Sequence, residues 1–212
     1  MATLTCTSCG AAFTLPEHVR ERYPGWAPKQ CRACHTGEGR EAPRGGAGRG
    51  GVEENLTVAE VLAKYSKGPA DGVFTDGSAH PNPGPGGWGA VYVVDGEVVD
   101  QAHGREDHTT NNRMELTALI AGYDLVPPRV STTVYTDSKL CVDTITKWAP
   151  AWERRGWSRK TGPIANLDLV QQLYERARAR PEIELAWIAA HSGARWNEYA
   201  DSLSTAYRRT EL

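Results

Sequence analysis

From residue 72 onward, apolar and polar positions alternate between two periodicities. Val73–Thr75, Trp88–Val94, Glu97–His103, Thr132–Thr136 and Leu185–Ala190 are rich in β-branched and aromatic residues, and each reads as a strand. Asp95-Gly96 between the second and third runs is a hairpin signal. The first three strands are therefore expected to be antiparallel. Leu185–Ala190 is apolar at successive positions, which predicts a strand central in a sheet. Between the later strands the period changes to that of a helix. Thr109 or Thr110 can cap a helix whose core stripe is Leu116, Leu119, Ile120 and Tyr123, stopped by Pro127-Pro128. Further helices are expected from Ser138 toward Trp148, from Asn166 to Ala179, and after the loop His191-Ser192-Gly193. Strands first, then alternating helix and strand, predict an α/β fold with a mixed sheet covered by helices.

Upstream the pattern is different. Thr57-Val58-Ala59-Glu60 is a capping box, and Val58, Val61, Leu62 and Tyr65 share one helical face, predicting an accessory amphipathic helix within residues 54–68. Residues 37–53 form a Gly-rich linker, with seven glycines between 37 and 51. Such a linker reaches roughly 20 Å. Residues 1–36 carry two Cys-x-x-Cys pairs, Cys6/Cys9 and Cys31/Cys34, separated by 21 residues. That spacing suits a tetrahedral structural zinc ion in a zinc ribbon. A disulfide pair is the alternative, disfavoured in a reducing cytosol. Cys141, inside a predicted helix, reads as a small buried residue.

Composition adds bounds. The chain has 212 residues, 40% of them hydrophobic, enough for one domain of common size plus a small module. The net charge of −2 is uninformative about a nucleic-acid partner, because such footprints are local. Residues 1–52 hold seven Lys/Arg against four Asp/Glu, and residues 148–162 hold four against one. No apolar run approaches the length of a membrane span and no signal-peptide pattern opens the chain, so a soluble, cytoplasmic protein with no membrane partner is expected.

Candidate chemistry begins at Val73-Phe74-Thr75-Asp76-Gly77-Ser78, which precedes Asn82-Pro83-Gly84-Pro85-Gly86-Gly87-Trp88-Gly89. An acid where a strand gives way to a stiff Gly/Pro loop fits a metal or phosphate site, and equally fits a hairpin turn with an incidental Asp. Three later features tip the balance. Asn111-Asn112-Arg113-Met114-Glu115-Leu116 places a Glu just inside a helix, Val134-Tyr135-Thr136-Asp137-Ser138 ends a second strand in an Asp, and Trp196-Asn197-Glu198-Tyr199-Ala200-Asp201 places another Asp near the start of the last helix. With these motifs in this order, residues 71–209 resemble the type 1 ribonuclease H family.

The resemblance implies a five-stranded mixed sheet, three antiparallel strands with parallel additions, and strand ends that bring Asp76, Glu115, Asp137 and Asp201 together. Crowded carboxylates repel unless cations neutralise them, and hard oxygen donors point to Mg2+, with Mn2+ as a substitute. Two such ions about 4 Å apart suit in-line phosphodiester hydrolysis. The implied reaction is endonucleolytic cleavage of the RNA strand of RNA/DNA hybrids, leaving 5′-phosphate and 3′-hydroxyl ends. His191 would carry a proton or aid product release. Gly77, Ser78, Asn82, Asn111 and Asn112 suit contacts to the RNA strand. Thr110, Arg113 and Asn166 resemble the family's pocket for a DNA-strand phosphate, and Trp148 its deoxyribose contact. Trp152, Arg154, Arg155, Trp157 and Lys160 resemble its basic protrusion. Plain family members lack the zinc ribbon, whose partner is expected to be nucleic acid or protein, and the enzyme is expected to act as a monomer. The rival readings are a catalytically silent hybrid-binding adaptor and another nuclease of the same fold.

Overall fold

A computed structural model describes residues 3–6, 11–14 and 55–210, which fall into two units divided between Val52 and Glu53. In the first unit, β1 (Thr3–Thr5) and β2 (Ala12–Thr14) pair antiparallel, with Leu4 opposite Phe13. Cys6 follows β1 and is buried. Cys9, Cys31 and Cys34 lie outside the described residues, and with them the four-cysteine site and the linker.

The second unit is built on a five-stranded sheet in the order β5-β4-β3-β6-β7. β3 (Gly72–Ala79) pairs antiparallel with β4 (Gly84–Val94), and β4 pairs antiparallel with β5 (Glu97–Thr109). On its other side β3 runs parallel to β6 (Thr132–Thr136), which runs parallel to β7 (Ile183–Trp187). This is the mixed sheet expected.

Two features of the sheet differ from the sequence reading. The Gly/Pro segment is not simply a turn. β3 continues through Asp76 to Ala79, and the glycines opposite it are strand residues of β4, with Asp76 facing Gly89 and Ser78 facing Gly87. Glycine is needed there by close packing within the protein. A Cβ on Gly89 would lie 2.4 Å from that of Leu203. The last strand is also not central: β7 is an edge strand. Its apolar residues mark helices on both sides of the sheet, since Ile183 and Leu185 join one hydrophobic cluster and Ile188, just beyond the strand, joins the other.

Those two clusters follow the period of two along the strands. Val73, Tyr92 and Val134 point to one face, where α2 (Asn111–Leu125) supplies Leu116, Leu119 and Tyr123 and α5 (Leu167–Ala179) supplies Val170 and Leu173. Phe74, Val91 and Val93 point to the opposite face. There α6 (Arg195–Thr205) supplies Trp196, Tyr199, Ala200 and Leu203, and α1 (Val58–Lys64) supplies Val61. α1 begins with the expected capping box, Thr57 Oγ1 accepting from the Glu60 amide while Glu60 accepts from the Thr57 amide. The helix is seven residues long, shorter than its apolar stripe suggests, because Tyr65 is already extended.

Between β6 and α5 the expected single helix is divided. α3 (Lys139–Asp143) leads into a π-helical turn (Thr144–Trp148) and then α4 (Ala149–Glu153). Pro150 has no amide hydrogen to continue an α-helical ladder, and the Ala149 amide bonds back to Thr144. Residues 149–153 are thus helical, beyond the expected end near Trp148.

Candidate active site

Register does the first part of the assembly. Thr75 of β3 lies beside Thr136 of β6 in the parallel pairing, so the next residues, Asp76 and Asp137, emerge side by side. Packing supplies the third acid. Thr110 caps α2, its hydroxyl accepting from the Arg113 amide at 3.4 Å, and the first turn of α2 lies directly on β3 at Gly77. A Cβ on Gly77 would sit 2.1 Å from the Glu115 amide nitrogen, so only glycine admits the helix this closely. The lack of a side chain at Gly77 is thus accounted for by the approach of α2. One carboxylate oxygen each from Asp76, Glu115 and Asp137 then lie within 4.8 Å of one another.

The electrostatics follow from that crowding. Asp76 is only 7% exposed. Burial, then the charges of Asp201 and Asp137, pushes its carboxyl well above the ordinary carboxylate range, against the opposing hydrogen bonds from Ser204 and Gly77. Glu115 is raised for the same reasons, burial first and then Asp76 and Asp137, with Thr136 Oγ1 donating to it at 3.4 Å. Asp137 is raised mainly by burial, offset by an Asn197 hydrogen bond and the nearby His191. A trio of hard oxygen donors that resists ionisation alone is chemically suited to divalent cations such as Mg2+, whose charge removes the conflict.

A stability consequence follows. The folded protein holds protons on these acids more tightly than the unfolded chain does, so the stability they contribute is greatest at acidic pH. It is lost as pH rises from the ordinary carboxylate range through the raised values. In EDTA near neutral pH, Asp76→Asn is expected to melt above wild type by roughly 3 °C, a gain on the order of 1 kcal/mol. Calorimetric melts from pH 5 to pH 8 check this, and a variant that melts below wild type throughout contradicts it.

Asp201 does not join the 4.8 Å group, but its charge acts on Asp76 from α6. It lies in the second turn of that helix, which starts at Arg195. The same helix carries residues that a search for acids passes over. Ser204 Oγ donates to Asp76 Oδ2, and Asn197 bonds Asp137. Asn197, Asp201 and Ser204 recur at i, i+4 and i+7, a polar stripe on one helical face that is visible in the sequence once its period is counted. Trp187, 52% exposed at the end of β7, donates its indole N–H to the Asp137 carbonyl at 3.0 Å. Nothing in the sequence marks that contact.

Around this centre, Asn111 Oδ1 accepts from the Ala79 amide at 2.6 Å, and Asn82 Oδ1 accepts from the Asn111 amide at 3.3 Å. Those two asparagines therefore tie the β3–β4 turn to the start of α2, with Ser78 half-buried beneath and Asn112 exposed. Arg113 is engaged by Asp168 through two bonds, 3.3 and 3.1 Å, and Asn166 is the left-handed residue that opens α5. Asn112, Trp148, Trp152 and Asn166 line one cavity of about 110 Å³. Trp148 and Trp152 stand 6.0 Å apart by ring centroid. Trp157 meets Tyr174 edge to face and packs against the core, so its ring serves packing. Arg154, Arg155 and Lys160 are exposed beside it.

Comparison with known proteins agrees with this architecture. The family described as RNase H matches residues 70–208. The chain is similar to the ribonuclease H of Mycolicibacterium gilvum (strain PYR-GCK), 46% identical over 134 residues, 63% of this chain and 88% of that protein. It is also similar to the ribonuclease H of Methylorubrum extorquens (strain PA1), 42% identical over 140 residues, and spans 60% of that relative's length. Among solved structures, LC9-RNase H1, described as a type 1 RNase H with the type 2 active-site motif, superposes with a TM-score of 0.53 at 33% identity. That match covers 66% of this chain and 74% of the other. Among the described residues, no helix is long and apolar enough to cross a membrane.

Proposed function

The chain belongs to the RNase H family, and on that footing we infer that it is a ribonuclease H, an endonuclease that hydrolyses the RNA strand of RNA/DNA hybrids. The observation that carries this reading is the convergence of Asp76, Glu115 and Asp137 from three separate elements onto a space 4.8 Å across. Together with Asp201, these residues would hold two Mg2+ ions, Mn2+ serving as a substitute. Ions held there would supply a water of lowered pKa and charge neutralisation for an in-line displacement that leaves 5′-phosphate and 3′-hydroxyl ends.

The chain's own groups do the rest. Asn197 and Trp187 hold Asp137 in place, and Ser204 holds Asp76. His191, exposed and close enough to lower the pKa of Asp137, takes or delivers a proton as the reaction proceeds. Substrate choice requires reading 2′-hydroxyls on one strand, and Ser78, Asn82, Asn111 and Asn112 flank the acids where that strand would lie. The cavity beside Trp148 and Asn166 would take a phosphate and sugar of the DNA strand, with Thr110 and Arg113 nearby. Arg113, bonded to Asp168 through Nη1 and Nη2, keeps further N–H donors for a phosphate. Trp152 and the exposed Arg154, Arg155 and Lys160 would grip the duplex backbone.

Labelled RNA/DNA hybrid, RNA duplex and DNA duplex incubated with Mg2+ test the reading. Cleavage of the hybrid alone, on its RNA strand, is expected. Equal cleavage of DNA duplex, or none of the hybrid, refutes it.

For the N-terminal segment the reading is a structural zinc ion held by Cys6, Cys9, Cys31 and Cys34, in a module that tethers nucleic acid. A segment of this size buries too little apolar surface to fold without such a staple. Deleting residues 1–52 is then expected to raise KM and flatten its salt dependence, since basic contacts to phosphate are lost. Unchanged KM and salt slope would assign the module to a protein partner instead.

A further inference from the structure

Residues 55–68 precede the matched domain and contribute nothing to the acid cluster. They lie along α6 and end against the loop that carries His191. The Leu56 carbonyl accepts from Ser202 Oγ and from Arg209 Nη1, both at 2.7 Å, and Val61 is 1% exposed beneath α6. Past α1 the contact moves to the loop itself. The Lys67 carbonyl accepts from the Arg195 amide at 2.7 Å, and Lys67 bridges Ala194 in parallel fashion. Gly68 has φ +104°, and a Cβ there would lie 3.0 Å from the Ala194 Cβ. The Tyr65 ring approaches within 3.7 Å of where a Gly193 Cβ would sit. On its other side, the Gly193 amide donates to Glu198 Oε1 at 3.1 Å.

The loop so enclosed has an uncommon backbone. His191 has φ 47° and Gly193 φ 77°, both left-handed. A side chain in that region is disfavoured, and it persists where surrounding contacts over-determine it. Glu198 supplies one of those contacts. Residues 65–68 supply more, at Gly193, Ala194 and Arg195.

We propose that Tyr65, Lys67 and Gly68 form a brace that positions His191 over the acid cluster, acting through residues 193–195. The proposal rests on the reading of His191 as the proton carrier. The contacts of the brace run to residues 193–195 and not to the acids, so its loss is expected to affect turnover and leave binding alone.

A double-mutant cycle separates positioning from plain stability. kcat and KM on labelled hybrid at saturating Mg2+ are measured for wild type, Tyr65→Ala, Gly68→Ala, His191→Ala and the Tyr65→Ala/His191→Ala pair, at a temperature where circular dichroism shows each folded. Tyr65→Ala and Gly68→Ala are each expected to lower kcat about tenfold, the scale of a small misplacement of a reacting group. KM should stay within about twofold. Tyr65→Phe, which keeps the ring, should restore turnover, and the paired variant should be no slower than His191→Ala alone. Full kcat in both brace variants, or a loss that multiplies with that of His191→Ala, overturns the proposal. Should Tyr65→Ala not fold, Gly68→Ala carries the same test. Should His191→Ala itself turn over at the wild-type rate, the proton-carrier reading is what fails. Hydrogen exchange then decides the brace: faster exchange at the Gly193 and Arg195 amides in Gly68→Ala supports it, and unchanged protection overturns it.

Discussion

Asp137→Asn is expected to bind RNA/DNA hybrid with near wild-type affinity and to cleave it on the order of 10³-fold more slowly. Asparagine matches aspartate in shape and keeps an acceptor for the Asn197 hydrogen bond, while the Trp187 indole bonds the backbone carbonyl, which the substitution leaves intact. The fold and groove therefore persist. What disappears is one of the four carboxylates, Asp76, Glu115, Asp137 and Asp201, proposed to hold cations at the scissile phosphate. Gel shifts in Ca2+ and single-turnover cleavage in Mg2+ measure the two halves separately. Residual cleavage within tenfold of wild type would mean that the reaction does not depend on this acid. A wild-type protein that binds hybrid and never cuts it would favour the silent adaptor.

Gly77→Ala is expected to have the largest structural effect of any single methyl group added near the site. The new Cβ would meet the Glu115 amide nitrogen at 2.1 Å and the Met114 carbonyl carbon at 2.2 Å. These are backbone atoms at the start of a helix and cannot swing aside, so α2 must withdraw from β3. Overpacking of this kind costs about 3 kcal/mol, which for a domain of this size lowers Tm by roughly 10 °C. Activity should fall further than stability requires, because Glu115 moves with the helix. Gly96→Ala is the control: nothing lies within 4 Å of its Cβ position and only its φ of +74° is strained, so a loss of about 1 kcal/mol is expected. A Gly77→Ala protein melting within roughly 2 °C of wild type would show that the helix yields at little cost.

The parts of this site that were legible in the sequence are those with local signatures. Asp76 and Asp137 each follow a β-rich run, and Glu115 follows a capped helix start. Their convergence is not local. It depends on the parallel pairing of Thr75 with Thr136 and on the absence of a side chain at Gly77, and neither leaves a periodic trace. The glycines of β4 misled for a related reason: composition reads Gly and Pro as turn, whereas Gly87 and Gly89 are flat so that α6 can lie on the sheet. The edge position of β7 was hidden because apolar residues on both sides of a strand report what covers it, which helices can do at an edge as well as at the centre. The pairing of Arg113 with Asp168 was hidden as well, because Asp168 lies more than fifty residues away and no local pattern connects the two.

Titration of metal-free protein with MgCl2, followed by thermal melting near neutral pH, tests most directly whether these acids share divalent cations. Wild type is predicted to gain stability saturably, as a ligand bound by the folded state requires, while Asp76→Asn starts higher in EDTA and gains little. Equal Mg2+ stabilisation of the two proteins, or none in wild type, would contradict a cation site at Asp76, Glu115 and Asp137.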